Sequence, residues 1–146
     1  MSRCRLALLA LALPLVTGAD ASAQPLPPDS LETARRYARW FLAGHVDSIL
    51  PSIPPASVDA LGGRDGILRT GATIADRAGS EARVVEERFV WRGGRRQYWR
   101  TMAMTATSDH FLLRIVIRPD GRFGGYGTGL ATNPPPVDSS GPPIRP

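Results

Sequence analysis

The spacing of the apolar residues changes near residue 80, and this change constrains the fold more than any other feature of the chain. Before this point apolar residues recur at helical spacing, and after it they alternate at the spacing of strands. Helices followed by consecutive strands are typical of α+β domains, in which helices cover one face of an antiparallel sheet. The length of 146 residues suits one such domain with a single modest core.

Three helices are predicted in the first half of the chain. The first is capped by Asp29 or Ser30 and stops at Gly44, and its apolar arc lies opposite an arginine-rich arc. The second is a short apolar segment at residues 46–53, which prolines interrupt. The third covers about residues 65–78, again with its apolar residues on one face.

Four strands follow, separated by residues that favour turns. We predict these strands at about residues 82–91, 97–107, 111–117 and 123–131. Gly93-Gly94 and Pro119-Asp120-Gly121 have the composition of hairpin turns. The third strand alternates cleanly and carries on one side Phe111, Leu113, Ile115 and Ile117. We expect this side to face the helices at Tyr37, Phe41, Leu68 and Ile74.

The first 23 residues have the pattern of a signal peptide. Two arginines precede an apolar run at residues 6–16, which is too short to span a bilayer. Ala21-Ser22-Ala23 then supplies the small residues that precede a cleavage site. We therefore expect cleavage between Ala23 and Gln24, and a periplasmic or secreted protein without a transmembrane segment.

The remaining composition limits the class of protein further. Cys4 would leave with the signal peptide, so the predicted domain at residues 24–131 would be held by packing without disulfides. The formal net charge of +5 is mild and the charges are interspersed, so nucleic acid is not an expected partner. Residues 132–146 contain six prolines, and we predict a disordered tail there.

The chain resembles the nuclear transport factor 2-like superfamily of cone-shaped domains. The resemblance rests on residues 34–47, where an aromatic helix ends in glycine before a second helix begins, and on Ala60-Leu61-Gly62, Gly79 and residues 84–88. Within the superfamily the chain is similar to a bacterial domain of unknown function found ahead of exported serine hydrolases and α/β-hydrolases. The resemblance implies three helices on a curved four-stranded antiparallel sheet, an accessory or binding role, and a homodimer through the outer face of the sheet. It supplies no catalytic residues.

The resemblance also implies a pocket between the first helix and the concave face of the sheet. Its expected ligand-binding residues are Tyr37, Phe41, Trp99 and either or both of Met102 and Met104. Trp99 and Met102 belong to opposite faces of one strand, so only one of them can point inward, and the sequence does not decide which. The alternative is that these side chains simply fill the core.

Residues that could perform chemistry are few. The sequence contains no Gly-x-Ser-x-Gly elbow, no Ser-x-x-Lys and no P-loop, and we expect neither a metal nor another cofactor. We expect His45 and the Asp109-His110 pair to be solvated. Glu86 and Glu87 are neighbours in a strand and so point to opposite faces. One of them could be buried beside an arginine, but we expect both at edges and on the surface.

Three functions remain open from the sequence. We favour an exported, non-catalytic module that binds a small apolar ligand or a protein partner. An isomerase- or dehydratase-like enzyme that uses the cone cavity would be favoured instead by a buried Asp, Glu or His facing a cavity. A binder of the cell-envelope surface or of acidic polymers would be favoured by a contiguous basic face around the first hairpin, formed by Arg92, Arg95, Arg96 and Arg100.

Overall fold

The structure, a computed structural model, describes residues 29–144. The predicted signal peptide lies outside these residues. Within them the helices are α1 (Ser30–Leu42), α2 (Val46–Ile49), α3 (Pro55–Ala60) and α4 (Gly63–Ala78), with a 3₁₀ turn at Leu50–Ser52. The strands are β1 (Glu81–Arg92), β2 (Arg95–Met104), β3 (His110–Ile117), β4 (Phe123–Leu130) and β5 (Ser139–Ser140).

The strands form one antiparallel sheet in the order β4-β3-β2-β1-β5, and the helices pack against one of its faces. The predicted α+β arrangement is therefore confirmed. The prediction of four strands is wrong, because the C-terminal segment adds β5 at the edge of β1. The helical half also has a fourth helix, α3, where the sequence predicts only a brief turn at residues 57–61. Pro55 stands at the first turn of α3, where its fixed backbone angle favours a helix start.

The hairpin between β1 and β2 sets the register of the sheet centre. Gly93 and Gly94 both have positive φ, at 57° and 67°, as the tightest hairpin turns require. The turn pairs Arg92 with Arg95, and alternation then places Glu87 directly opposite Arg100. The register thus determines which charged side chains of β1 and β2 face each other.

The main core lies between the helices and the sheet face that they cover, which we call the inner face. It contains the predicted contact residues of both layers, namely Tyr37, Phe41, Ile74, Leu113, Ile115 and Ile117, with Leu68 and Phe111 partly buried against them. The predicted packing of β3 on the helices is therefore confirmed. Aromatic rings fill this space, with ring centroids 5.2 Å apart for Tyr37 and Phe123 and 4.5 Å apart for Phe41 and Tyr126.

A second, smaller cluster lies on the opposite, outer face of the sheet. It consists of Val90, Trp99 and Leu112, and Ala131 and Val137 pack against it. The chain between β4 and β5 crosses this face, because the two strands lie at opposite edges of the sheet. The four strand spacings amount to about 19 Å, and residues 131–138 can extend to about 26 Å.

The segment in which the sequence predicts a disordered tail is hydrogen-bonded to β1 over part of its length. The backbone N–H groups of Asp138, Gly141 and Ile144 donate to carbonyl oxygens of β1 at 2.8, 2.9 and 2.7 Å. Proline-rich composition hides this pairing, since it marks residues 134–136 as irregular without showing where the following residues bind. None of the helices between residues 29 and 144 has the length and apolar character that a membrane crossing needs.

Candidate functional site

Glu87 is a charged side chain on the inner face of the sheet, and only 1% of it is exposed. The hairpin register places Arg100 of β2 opposite it. Arg35 reaches the same carboxylate from α1, and Tyr98 reaches it from β2. We call these four residues the Glu87 cluster.

The carboxylate of Glu87 accepts hydrogen bonds from three side chains. Arg35 donates to Oε2 from Nε at 3.0 Å and from Nη2 at 2.6 Å. Arg100 Nη1 donates to Oε1 at 2.5 Å, and the Tyr98 hydroxyl donates to the same oxygen. Arg100 also makes a two-bond contact with Glu81, at 3.0 and 2.6 Å, so its charge is shared between two acids.

The cluster keeps Glu87 ionised. Burial raises the pKa of Glu87, but hydrogen bonds from Arg35 and Tyr98 and the positive charge of Arg100 outweigh burial, so the pKa lies below its ordinary value. Burial, and then the hydrogen bond to Glu87, raise the pKa of Tyr98, which therefore remains a donor. An ionised carboxylate with three donors is poorly suited to remove a proton from a substrate.

We expect this cluster to stabilise the fold at neutral pH and to lose its contribution in acid. The folded-state pKa of Glu87 is lowered, so the stabilisation is complete above the unfolded-state pKa of about 4.3 and disappears as the pH falls through the folded-state value. Urea denaturation across this acidic range should show a steeper loss of stability in the wild type than in Glu87→Gln. Equal losses in the two proteins would contradict this role of Glu87.

A cleft of about 440 Å³ opens beside the cluster, between α1, α4, the start of β1 and the end of β2, away from the hairpin that joins the two strands. Small-molecule sites in proteins have volumes of about 300 to 1,000 Å³. Apolar side chains form much of its wall, notably Leu42, Ala43, Ile74, Ala75 and Met104. Its charged lining residues are Arg39, Glu81 and Arg100. We call it the α1–α4 cleft.

The charges around the α1–α4 cleft leave one arginine without an acid. Arg100 and Glu81 are paired with each other. Arg39 is exposed and forms no ion pair with another residue among those the structure describes. The cleft therefore combines an apolar wall with a positive charge at its opening, which suits a ligand with an apolar body and one acidic group.

The residues predicted to bind a ligand separate into two groups. Tyr37, Phe41 and Met102 lie in the main core, and the Tyr37 hydroxyl donates to Ser52 Oγ at 3.0 Å. Trp99 lies in the cluster of the outer face, so it cannot share a site with the other three. The choice that the sequence leaves open is thus decided in favour of Met102 pointing inward. Met104 lines the α1–α4 cleft.

The histidines and Asp109 lie away from the Glu87 cluster. His45 is exposed just before α2, and Asp109 is exposed in the turn before β3. His110 is partly buried at the first position of β3. Among the described residues, no group of three or more His, Cys, Asp and Glu side chains could hold a metal ion.

The arginines around the first hairpin do not point the same way. Arg100 belongs to the Glu87 cluster. Arg96 lies over the ring of Trp91 on the inner face, with its Cζ 5.3 Å from the ring centroid. Arg92 lies on the outer face, where its Nε donates to the carbonyl oxygen of Pro136 at 3.1 Å. Alternation along the strands therefore divides these arginines between both sides of the sheet.

Sequence reasoning missed the Glu87 cluster, and its expectation that Glu87 lies at an edge or on the surface is wrong. The pairing of Glu87 with Arg100 was open to prediction, because a two-residue turn at Gly93-Gly94 places Arg100 opposite Glu87. The contact of Arg35 with Glu87 was not, because Arg35 lies 52 residues away from Glu87 in the chain and only the packing of α1 on the sheet brings it near.

Comparison with protein-family models, with curated proteins and with solved structures gives no match to this chain.

Proposed function

We propose that this protein binds a small apolar molecule carrying one acidic group in the α1–α4 cleft, and that it does not change this molecule chemically. The observation that carries the proposal is the cleft itself, with its wall of Leu42, Ile74 and Met104 and with Arg39 at its opening. Apolar surface supplies most of the affinity in sites of this kind, and a few polar groups orient the ligand.

The charges near the cleft support binding rather than the isomerase- or dehydratase-like alternative. General base catalysis needs a group that can take up a proton near the working pH. The lowered pKa of Glu87 and its three donors make it unfit for this role. Glu81, which lines the cleft, is held by two bonds from Arg100.

We also propose that the domain is a nuclear transport factor 2-like cone from an exported protein. The order of helices before an antiparallel meander supports the fold, as do the register shifts in β1 at Glu81/Arg83 and Val84/Glu86, since such irregularities bend strands. The charged start and apolar run of the first 23 residues support export. The homodimer implied by the resemblance stays a prediction.

Dodecanoate, which has an apolar chain and one carboxylate, is the probe for the proposed site. Isothermal titration calorimetry should show saturable binding to the wild type. Ala75→Phe places a ring in the cleft, in the space proposed for the ligand. The ligand would then bury less apolar surface, so binding should weaken at least about tenfold. Ala72→Phe is the matched control, because Ala72 is another exposed alanine of α4 and lies outside the cleft lining, and it should leave affinity unchanged.

The acidic group of the ligand is tested separately with Arg39→Gln. This variant should weaken dodecanoate binding by about threefold, which is typical of an exposed ion pair, and should leave the binding of dodecanol unchanged. Failure of both dodecanoate and dodecanol to bind the wild type would contradict the proposed function. An equal loss in Ala75→Phe and Ala72→Phe would show that the ligand binds elsewhere.

A further inference from the structure

A separate cleft of about 390 Å³ lies at the hairpin end of the sheet, partly on its outer face. Three arginines line it, namely Arg92, Arg95 and Arg114, together with Gln97, and no Asp or Glu is among its lining residues. We call it the outer-face cleft. Arg35 and Arg100 of the Glu87 cluster are paired with carboxylates, whereas no carboxylate lines this cleft.

Arg114 has a defined place in this cleft. Its guanidinium lies across Gly127, the residue opposite it on β4, so closely that a Cβ atom at position 127 would be 2.4 Å from Nη2 and 2.8 Å from Cζ. The backbone at Gly127 has no positive φ, so the missing side chain, rather than backbone freedom, is what this arginine uses. Arg114 is partly buried and forms no ion pair with any residue that the structure describes.

Arg92 and Gln97 supply further hydrogen-bond donors to this cleft, and neighbouring groups position both side chains. The carbonyl of Pro136 accepts a hydrogen bond from Arg92 Nε, so the segment crossing the outer face helps to position this arginine. Gln97 Oε1 accepts a hydrogen bond from Trp99 Nε1 at 2.9 Å, which leaves the amide NH₂ of Gln97 as a donor. Asp138 is near Arg92 but does not line the outer-face cleft, and its carboxylate accepts a hydrogen bond from the Gly94 backbone N–H at 3.2 Å.

Bringing these arginines together is electrostatically unfavourable without an anion. Burial and the positive charge of Arg92 both lower the pKa of Arg114. A bound anion would reverse the second effect, because each guanidinium can donate two parallel hydrogen bonds to a pair of oxygens.

We propose that the outer-face cleft binds an oxyanion, a carboxylate or a phosphate, which Arg92, Arg95 and Arg114 hold by charge-assisted hydrogen bonds. The oxyanion is either a free ion or the acidic group of a larger ligand. This site is independent of the α1–α4 cleft, with which it shares no lining residue.

The test is a titration of the protein with inorganic phosphate at constant ionic strength, followed by the NMR signals of the arginine Nε–H groups. The wild type should show saturable shifts at Arg114. Arg114→Gln should weaken phosphate binding at least about tenfold, because it removes charge-assisted hydrogen bonds. Gly127→Val keeps every charge but displaces the guanidinium, and it should also weaken binding. Arg118→Gln is the control, since Arg118 pairs with Asp120 outside this cleft, and it should bind like the wild type.

Two further arms identify the source of the anion. Polyphosphate that binds much more tightly than phosphate would assign the cleft to an acidic group of a larger ligand, whereas equal affinity per site would assign it to a free ion. Shifts that do not saturate, or that are the same in Arg114→Gln and Gly127→Val as in the wild type, would overturn the proposal.

Discussion

Glu87→Gln is expected to lower the free energy of unfolding by about 3 kcal/mol. The substitution preserves the shape of the side chain but removes the negative charge that Arg35 and Arg100 share, in a place where only 1% of the residue is exposed. Urea denaturation at neutral pH measures this loss. Domains of this size are stabilised by about 5 to 15 kcal/mol in total, so the effect should be large.

Glu86→Gln is the control for this prediction. Glu86 is the preceding carboxylate on the same strand, and its side chain is 33% exposed. Within residues 29–144 its ion pair is with Arg88 alone. We expect its loss to change stability by less than about 0.5 kcal/mol. Equal effects at the two positions would mean that Glu87 does not organise a buried cluster.

Phe41→Ala is expected to cost about 3 to 4 kcal/mol. The ring is 1% exposed and contacts Tyr126 with centroids 4.5 Å apart, so its removal leaves a cavity between α1 and β4. The denaturation midpoint of the variant measures this cost. Leu130→Ala is the control, because Leu130 is 43% exposed, and its change should be within about 0.5 kcal/mol. An unchanged midpoint in Phe41→Ala would contradict the packing of α1 against the sheet.

The elements that the sequence predicts well are those whose signal is local. The apolar arc of α1 repeats within a few residues, and so does the alternation of β3, from Phe111 to Ile117. Both faces therefore point in the predicted direction. The glycine turn at Gly93-Gly94 is local in the same sense, and it sets the pairing of β1 with β2.

The elements that sequence reasoning missed depend on partners far apart in the chain. β5 pairs with β1 across about 50 residues, and its own two residues, Ser139 and Ser140, carry no strand pattern. Arg35 meets Glu87 only when α1 docks on the sheet. The α1–α4 cleft is likewise formed between two helices and the ends of two strands. Only folding brings Met104 of β2 beside residues of α1 and α4.

The central claim is that a small apolar acid occupies the α1–α4 cleft, and the methyl groups of two methionines test it most directly. Met104 lines the cleft, whereas Met102 is 1% exposed within the main core. NMR of methionine methyl groups during titration with dodecanoate should show a saturable shift at Met104 and an unmoved signal at Met102. A Met104 signal that stays unmoved, or shifts no more than Met102 does, would contradict the claim.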